Sequence, residues 1–227
     1  MTPPDWFLVF DLDDTLYPER EFVRGGFVAV DRWLHERFGY IGFGERAWSR
    51  FLQGQRKMIF DDVLRSFGWL DTEKMVQQLV QIYREHRPQI QLFAEAPQIL
   101  DSLYGRHLLG LLTDGYLVTQ QNKVVALELH RWFAHILCTE ALGRAYWKPS
   151  PVPYEKLAAQ ANRRPQQCVY VGDNPNKDFV TARLLGWRTV RVRREGTEHF
   201  AATLDKAYEA EVEIGSLAEV QECISKF

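Results

Sequence analysis

The sequence predicts an α/β protein with a parallel-sheet core and an all-helical insert after the first strand. Four short apolar runs each end abruptly in a polar cluster, as buried parallel strands do; they cover residues 6–10, 108–112, 136–138 and 168–171. Segments with helical spacing alternate with the later runs, as βαβ units require. Residues 18–91 break this alternation, because they contain helical patterns and no convincing strand.

Within the insert, two sets of apolar residues recur at helical spacing: Phe27, Val30, Leu34 and Phe38, and then Met75, Leu79, Ile82 and Tyr83. Gly39, Gly42 and Gly44 are expected to mark a loop between helices, since glycine clusters interrupt helices and permit tight turns. Trp33, Trp48 and Trp69 also lie in the insert, where we expect core packing rather than substrate contact.

Three helices are predicted between the remaining strands, at residues 118–129, 152–161 and 179–185. A fifth run, 189–192, extends the sheet, and residues 211–214 and 217–224 are expected to form a last strand and a last helix. No repeat or flexible linker separates domains. The pattern therefore assigns residues 1–17 and 92–227 to the core domain and 18–91 to the insert.

Composition and charge exclude several classes of protein. Of the 227 residues, 46% are hydrophobic and 26% are charged, as in ordinary globular proteins. A net charge of -2 gives no basic field for a nucleic acid polymer or a membrane surface. The three cysteines form no Cys-x-x-Cys pair, and the first apolar run is too short for a signal or membrane helix. We therefore expect a cytoplasmic protein.

Polar residues follow the predicted strands, where open α/β sheets bind their ligands. Asp11 and Asp13 follow the first strand and are two residues apart, so both carboxylates can project to one side. Thr113, Asp114 and Gly115 follow the second, where a hydroxyl and turn amides can hold a phosphate. Taken singly, the first cluster is also compatible with a solvated acidic turn and the second with a common Asp-Gly turn.

Two further clusters follow later strands. Lys148-Pro149 follows the third predicted strand and opens a helix with proline in its first turn. Gly172-Asp173 and Asp178 place two more carboxylates after the fourth strand. A surface lysine and a helix N-cap are the ordinary explanations. To dismiss a functional site, one such explanation would have to hold for each of the four clusters. It is improbable that four unrelated clusters would all fall at strand ends in this chain order.

With these residues in this order, the sequence resembles the haloacid dehalogenase-like (HAD) hydrolase superfamily. The resemblance spans residues 7 to about 193 and includes Asp11-Leu12-Asp13-Asp14-Thr15, Thr113, Lys148, and Gly172-Asp173 with Asp178. It implies a Rossmann-like core, with the insert as a helical cap that closes over the active site.

A carboxylate cannot approach a phosphate dianion productively unless cations offset the repulsion. Lys148 and a bound Mg²⁺ would supply that charge, with Asp11 and Asp173 as oxygen ligands. The resemblance adds the backbone carbonyl of Asp13 as a further metal ligand. Asp11 would attack phosphorus to give an aspartyl-phosphate, which water then hydrolyses.

Asp13 would protonate the leaving oxygen and then activate water. In the family this second aspartate is present in phosphatases and phosphomutases and absent from dehalogenases, so it favours phosphate-ester hydrolysis. The resemblance further implies that Thr113 binds a phosphoryl oxygen beside the Asp114 turn. Asp178 would position Lys148 or a water on the metal, and Thr15 would support the first loop.

The third motif departs from the family pattern, because Arg144-Ala145-Tyr146-Trp147 makes the spacer before Lys148 longer than usual. Lys123 and Lys156 are alternatives, but both lie within helical patterns rather than at strand ends. Arginines 191, 193 and 194 at the fifth strand are expected to form a solvated face.

The sequence thus predicts a Mg²⁺-dependent phosphatase that acts on a small phosphorylated metabolite, either a nucleoside monophosphate or a sugar phosphate. A phosphomutase of the same superfamily is the enzyme alternative. A phospho-accepting regulatory module is the non-enzyme alternative, but receiver domains are about half this length and lack a helical insert after the first strand.

Overall fold

The computed structural model describes residues 6–70 and 72–227. It divides the chain into two compact units. One combines the described residues up to Glu19 with Gln91–Phe227, and we call it the core unit. The other is Arg20–Ile90, which we call the helical unit.

The core unit is built on a six-stranded parallel sheet with the strand order β3-β2-β1-β4-β5-β6. The strands are β1 (Phe7–Phe10), β2 (Leu108–Thr113), β3 (His135–Cys138), β4 (Cys168–Gly172), β5 (Arg188–Val192) and β6 (Val212–Ile214). The predicted α/β fold class is confirmed, and each predicted strand lies within one residue of an observed strand at either end.

The described residues contain nine α-helices and several short 3-10 turns. The helices are α1 (Glu19–Phe38), α2 (Phe43–Leu52), α3 (Ile59–Ser66), α4 (Glu73–Glu85), α5 (Ala96–Leu103), α6 (Leu117–Ala126), α7 (Val152–Gln160), α8 (Phe179–Leu184) and α9 (Val220–Ile224). The predicted helix at 118–129 ends at Ala126, and a 3-10 turn at Leu129–Arg131 follows. The predicted helix at 217–224 begins as a 3-10 turn, Leu217–Glu219, and continues as α9.

Strand β1 lies at the centre of the sheet, where the strand order reverses. Phe10, its last residue, pairs with Leu111 of β2 on one side and with Val171 of β4 on the other. The carboxyl ends of these three strands therefore lie side by side. This edge is where an open parallel sheet holds its ligand.

The sheet packs on an aromatic cluster that α7 and α8 complete. Phe7, Tyr154, Tyr170 and Trp187 are almost fully buried in it. β2 passes close to Phe7 at Gly110, where a Cβ atom would lie 2.6 Å from the phenyl ring. Since β1 and β4 are buried along their whole length, these strands require the continuous apolar runs seen in the sequence.

The helical unit packs α1 to α4 around a core of its own. Val30, Leu34, Phe43, Val63 and Leu79 are completely buried in this core. In the described residues 20–70 and 72–90 no strand occurs, so the all-helical character expected for the insert is observed there. Trp33, Trp48 and Trp69 are partly buried against the same core, as expected.

The expected loop at the three insert glycines is wrong at its last position. Gly39 and Gly42 have φ angles of 75° and 89° and lie in the loop, but Gly44 lies inside α2. A Cβ atom at Gly44 would lie 3.3 Å from the backbone oxygen of Phe27 in α1. Gly44 therefore serves the close approach of two helices rather than a turn.

Two further expectations need correction. Pro149 does not open a helix, because α7 begins three residues later, at Val152. Arg191 is not on a solvated face: it is 1% exposed, and Arg193 and Arg194 are half-buried. The Arg191 guanidinium donates to Glu209 at 2.9 Å and to the backbone oxygen of His199 at 2.8 Å. Residues between β5 and β6 fold back over the strand and enclose it.

Cys138, Cys168 and Cys223 are buried and unpaired with one another. Among the helices that the structure describes, none combines the length and the apolar character needed to span a bilayer.

Candidate active site

Lys148 is the centre of a buried polar cluster at the carboxyl ends of the strands. Its Nζ atom donates to Asp11 at 2.7 Å, to Asp178 at 2.8 Å and to the hydroxyl of Tyr170 at 2.8 Å. Three acceptors match the three protons of an ammonium group. Burial lowers the pKa of Lys148, but the charges of Asp11 and Asp178 outweigh it and raise the pKa well above its ordinary value. The side chain is therefore a fixed cation.

The long spacer before Lys148 is absorbed by 3-10 turns. After β3 the chain makes two of them, Thr139–Leu142 and Arg144–Tyr146. Asp114 then fixes the returning chain, since its Oδ1 atom accepts from the backbone N of Lys148 at 3.1 Å and from Thr139 Oγ1 at 2.8 Å. The Asp114 carboxylate thus holds the lysine loop, which leaves the Thr113 hydroxyl and the turn amides of this segment for the predicted phosphate contact.

The loop after β4 brings Asp178 back towards the sheet. Its Oδ2 atom accepts from the backbone N of Asn174 at 2.9 Å. Gly172 permits this return, because a Cβ atom there would lie 2.5 Å from Asp178 Oδ2. Asp178 precedes α8 but makes no side-chain capping bond to it, so the N-cap explanation of this carboxylate does not hold.

Asp173 lies beside Asp11 and Asp178, and the three residues offer ligand oxygens within 4.8 Å of one another. Among the residues that the structure describes, Asp173 Oδ2 is buried without a hydrogen-bond partner. Burial and the charges of Asp178 and Asp11 raise the pKa of Asp173 well above its ordinary value. Burial likewise raises the pKa of Asp11 to about 6, against the charge of Lys148. Oxygen ligands that repel one another and include an unsatisfied atom fit a hard divalent cation such as Mg²⁺.

The Asp13 side chain has different partners. Its Oδ1 atom accepts from Lys123 Nζ at 2.6 Å and from the hydroxyl of Tyr17 at 2.5 Å, and Oδ2 accepts from Gln120 Nε2 at 3.0 Å. Burial raises the pKa of Asp13, but the Lys123 charge and these hydrogen bonds outweigh it and lower the pKa. Lys123 lies within α6, as its helical pattern indicates, and it reaches Asp13 from there, whereas Lys148 contacts Asp11.

Two threonines from the motifs are buried beside this cluster. Thr113 is 1% exposed, and its hydroxyl oxygen accepts from Gln120 Nε2 at 2.5 Å. Accepting this bond leaves the Thr113 hydroxyl able to donate its own proton. Thr15 is completely buried, and its hydroxyl has no hydrogen-bond partner in the described part of the chain.

A cavity of about 260 Å³ opens over the cluster within the core unit. Its lining residues are Asp11, Asp13, Asp14, Glu19, Asp114, Gly115, Trp147, Lys148, Asp173, Asn174, Lys177 and His199. Six of them are acidic and two are lysines, so without a further cation the cavity repels a phosphate dianion.

A model of the haloacid dehalogenase-like hydrolases matches residues 8–192, which is most of the chain. The chain belongs to this family. The resemblance carried by the four motifs is thus confirmed, and the protein is a hydrolase.

Similar proteins within this hydrolase superfamily carry the names of different activities. The chain is 30% identical to a glyceraldehyde 3-phosphate phosphatase of Methanopyrus kandleri over 82% of this chain and 83% of the relative. It is 31% identical to a phosphoserine phosphatase of Thermus thermophilus over 61% of this chain and 55% of the relative. The crystal structure of a 2-haloacid dehalogenase from Pseudomonas syringae superposes with a TM-score of 0.69 at 26% identity, covering 97% of this chain and 98% of that one.

The sequence motifs give no role to several residues that line the cavity of this hydrolase, among them Glu19, Trp147, Lys177 and His199. Lys177 Nζ lies 3.4 Å from Asp114 Oδ2. Because Lys177 directly precedes Asp178 in the fourth motif, its position in the sequence could have indicated that it lies at the site. His199 had no such signal. It reaches the cavity because Asp14 accepts from the backbone N of Glu198 at 2.9 Å and Arg191 holds the backbone oxygen of His199.

Proposed function

We propose that this hydrolase is a Mg²⁺-dependent phosphatase that acts on a small phosphorylated metabolite through an aspartyl-phosphate at Asp11. One observation carries the proposal: Asp11 and Asp13 line the same cavity, and a separate buried lysine contacts each of them. The phosphatase names of two relatives support the same reaction. Asp13 favours this reaction over dehalogenation, because an alkoxide leaving group needs an acid.

The donor set fits Mg²⁺, with Asp11, Asp173 and the backbone carbonyl of Asp13 as its proposed ligands. Asp178 is close enough to contribute, but Lys148 and the Asn174 amide already engage both of its oxygens. When bound, the ion would offset the acidic charge of the cavity and the negative charge of the phosphoryl group.

In the first proposed step, a carboxylate oxygen of Asp11 attacks phosphorus. Lys148 holds Asp11 at 2.7 Å and places a positive charge where the phosphoryl oxygens must lie. The bond from phosphorus to the ester oxygen breaks, and that oxygen takes a proton from Asp13. The negative charge of the bound phosphate ester favours this protonated form of Asp13, against the Lys123 charge that lowers its pKa when no substrate is bound. Thr113 and the turn amides after β2 donate to phosphoryl oxygens.

In the second proposed step, water attacks the phosphorus of the aspartyl-phosphate. Asp13, now a carboxylate, removes the proton of this water, which restores the acid for the next turnover. Phosphate leaves, and Asp11 is again a carboxylate. A single carboxyl group thus serves both half-reactions, in opposite protonation states.

The test is a panel of phosphate monoesters, assayed for free phosphate with Mg²⁺ and with a chelator in its place. The panel includes nucleoside monophosphates, sugar phosphates, glyceraldehyde 3-phosphate and phosphoserine, with a 2-haloacid assayed for halide. We expect Mg²⁺-dependent phosphate release from at least one ester and no halide. Halide release would favour dehalogenation, and an isomeric phosphate ester without free phosphate would favour a phosphomutase.

Asp173→Ala is expected to weaken Mg²⁺ binding more than it lowers the maximal rate. The variant removes one of few charged oxygen ligands, so the Mg²⁺ concentration for half-maximal activity should rise about tenfold or more. A magnesium titration of activity measures this. The matched control is Asp205→Ala, at an exposed position outside the cavity lining. An unchanged titration in Asp173→Ala would remove this residue from the ligand set.

We further propose that the helical unit is the predicted cap and selects the leaving group. This proposal can be tested by excision, because the chain leaves and re-enters the core unit at one place. There the backbone N of Phe93 donates to the backbone oxygen of Leu16 at 2.9 Å.

Excising Arg20–Ile90 with a short linker should lower kcat/KM far more for physiological esters than for a small activated aryl phosphate. Binding energy from remote parts of the substrate is lost, whereas the phosphoryl site remains. Steady-state kinetics on both substrates measure the difference, after circular dichroism shows that the excised protein is folded. Equal losses would argue against the helical unit as a specificity element.

A further inference from the structure

Three side chains outside the four motifs donate hydrogen bonds to the Asp13 carboxylate. Tyr17 lies in the same loop as Asp13. Gln120 and Lys123 belong to α6, the helix that follows β2 in the chain. The last two are separated from Asp13 by 107 and 110 residues, so only the tertiary fold brings them together.

Gln120 and Lys123 lie on one face of α6 because they are three residues apart. Both are almost fully buried, with 1% and 2% of their surface exposed. A buried lysine is tolerated where an opposite charge and hydrogen bonds compensate it, and here the Asp13 carboxylate supplies both at 2.6 Å. Gln120 also donates to Thr113, so one amide group links the two residues.

The three donors divide unequally between the two oxygens of Asp13. Tyr17 and Lys123 both donate to Oδ1, whereas Gln120 alone donates to Oδ2. A carboxylate oxygen has about two lone-pair sites. Oδ1 is therefore saturated, and Oδ2 keeps one site for another partner.

We propose that Lys123, Tyr17 and Gln120 are positioning residues that saturate Oδ1 of Asp13 and present Oδ2 as the atom that exchanges a proton with the leaving oxygen. This inference rests on the proposed phosphatase function. In the transfer, the O–H bond at Oδ2 breaks as the phosphorus–oxygen bond of the ester breaks. The ester oxygen keeps the electron pair of that bond and gains the proton.

Such positioning matters only where the leaving group needs a proton. An alkoxide needs one, whereas nitrophenolate leaves without assistance. Removing the Lys123 charge favours the protonated form of Asp13, so a loss in Lys123→Met reports the position of Oδ2 rather than its protonation. In this variant we expect kcat/KM for an alkyl phosphate to fall at least tenfold more than kcat/KM for p-nitrophenyl phosphate. Asp13→Asn should shift this ratio in the same direction, and adding Lys123→Met to Asp13→Asn should shift it little further.

The matched control is Lys156→Met, because Lys156 is exposed on α7 and should leave the ratio unchanged. Tyr17→Phe is the milder second variant, since it removes a single oxygen from a buried ring. It should shift the ratio in the same direction by several-fold, and it carries the test if Lys123→Met does not fold.

Equal losses on the two substrates in Lys123→Met, or an unchanged ratio in Tyr17→Phe when only that variant folds, would overturn the proposal. So would a full additional loss when Lys123→Met is combined with Asp13→Asn. These outcomes differ from a failure of the proposed function, in which the unmodified protein itself releases no phosphate from either ester.

Discussion

Asp11→Asn should lower kcat for phosphate release by at least about 10³-fold, because removing a catalytic nucleophile leaves only the residual effect of binding. An amide is a poor nucleophile, and the change also removes a charge from the proposed metal ligands. The asparagine oxygen can still accept from Lys148, so the buried cluster keeps its main hydrogen bond. Initial rates with the best ester of the panel measure the effect.

The control for Asp11→Asn is the same substitution at Asp205, which is exposed. Both variants should unfold cooperatively at temperatures close to that of the unmodified protein. If folded Asp11→Asn kept more than a few per cent of the turnover, another residue would have to be the nucleophile.

Lys148→Met should lower kcat/KM by about 10²–10³-fold, the range seen when one preorganised donor to a developing charge is removed. Methionine keeps much of the side-chain volume but leaves Asp11 and Asp178 without the cation between them. The repulsion between the two carboxylates then opposes the approach of a phosphate dianion. The kinetics are compared with those of Lys156→Met, whose lysine is exposed.

Lys123→Met separates the roles of the two buried lysines. It should lower activity mainly on esters with poor leaving groups, whereas Lys148→Met should impair all substrates. If Lys123→Met were inactive on every substrate and Lys148→Met were normal, the assignment of the third motif to Lys148 would be wrong.

The parallel sheet was predictable because each central strand is buried on both faces. β1 and β4 have no exposed position, so they appear in the sequence as unbroken apolar runs that stop where the site begins. The motif residues Asp11, Lys148 and Asp178 were predictable for a related reason, since they follow strands and meet at one edge of the sheet.

Two partners of Asp13 were not predictable in this way, because they lie within helix α6 rather than after a strand. In the sequence, Gln120 and Lys123 read as polar positions of an ordinary helix, and nothing local shows that they face Asp13. The burial of Arg191 is similar: it depends on Glu209 and on the backbone at His199, which a long segment folds back onto β5. Such contacts depend on tertiary structure rather than on spacing.

The central claim is that Asp11 receives the phosphoryl group. The most direct measurement is to quench the enzyme in acid during turnover of a radiolabelled phosphate ester and to locate the label by peptide mapping. The account predicts label on the peptide that contains Asp11, and its loss in Asp11→Asn. With labelled p-nitrophenyl phosphate, whose leaving group needs no acid, the label should increase in Asp13→Asn, because only water attack is slowed. Label on another residue, or steady turnover by folded Asp11→Asn, would contradict it.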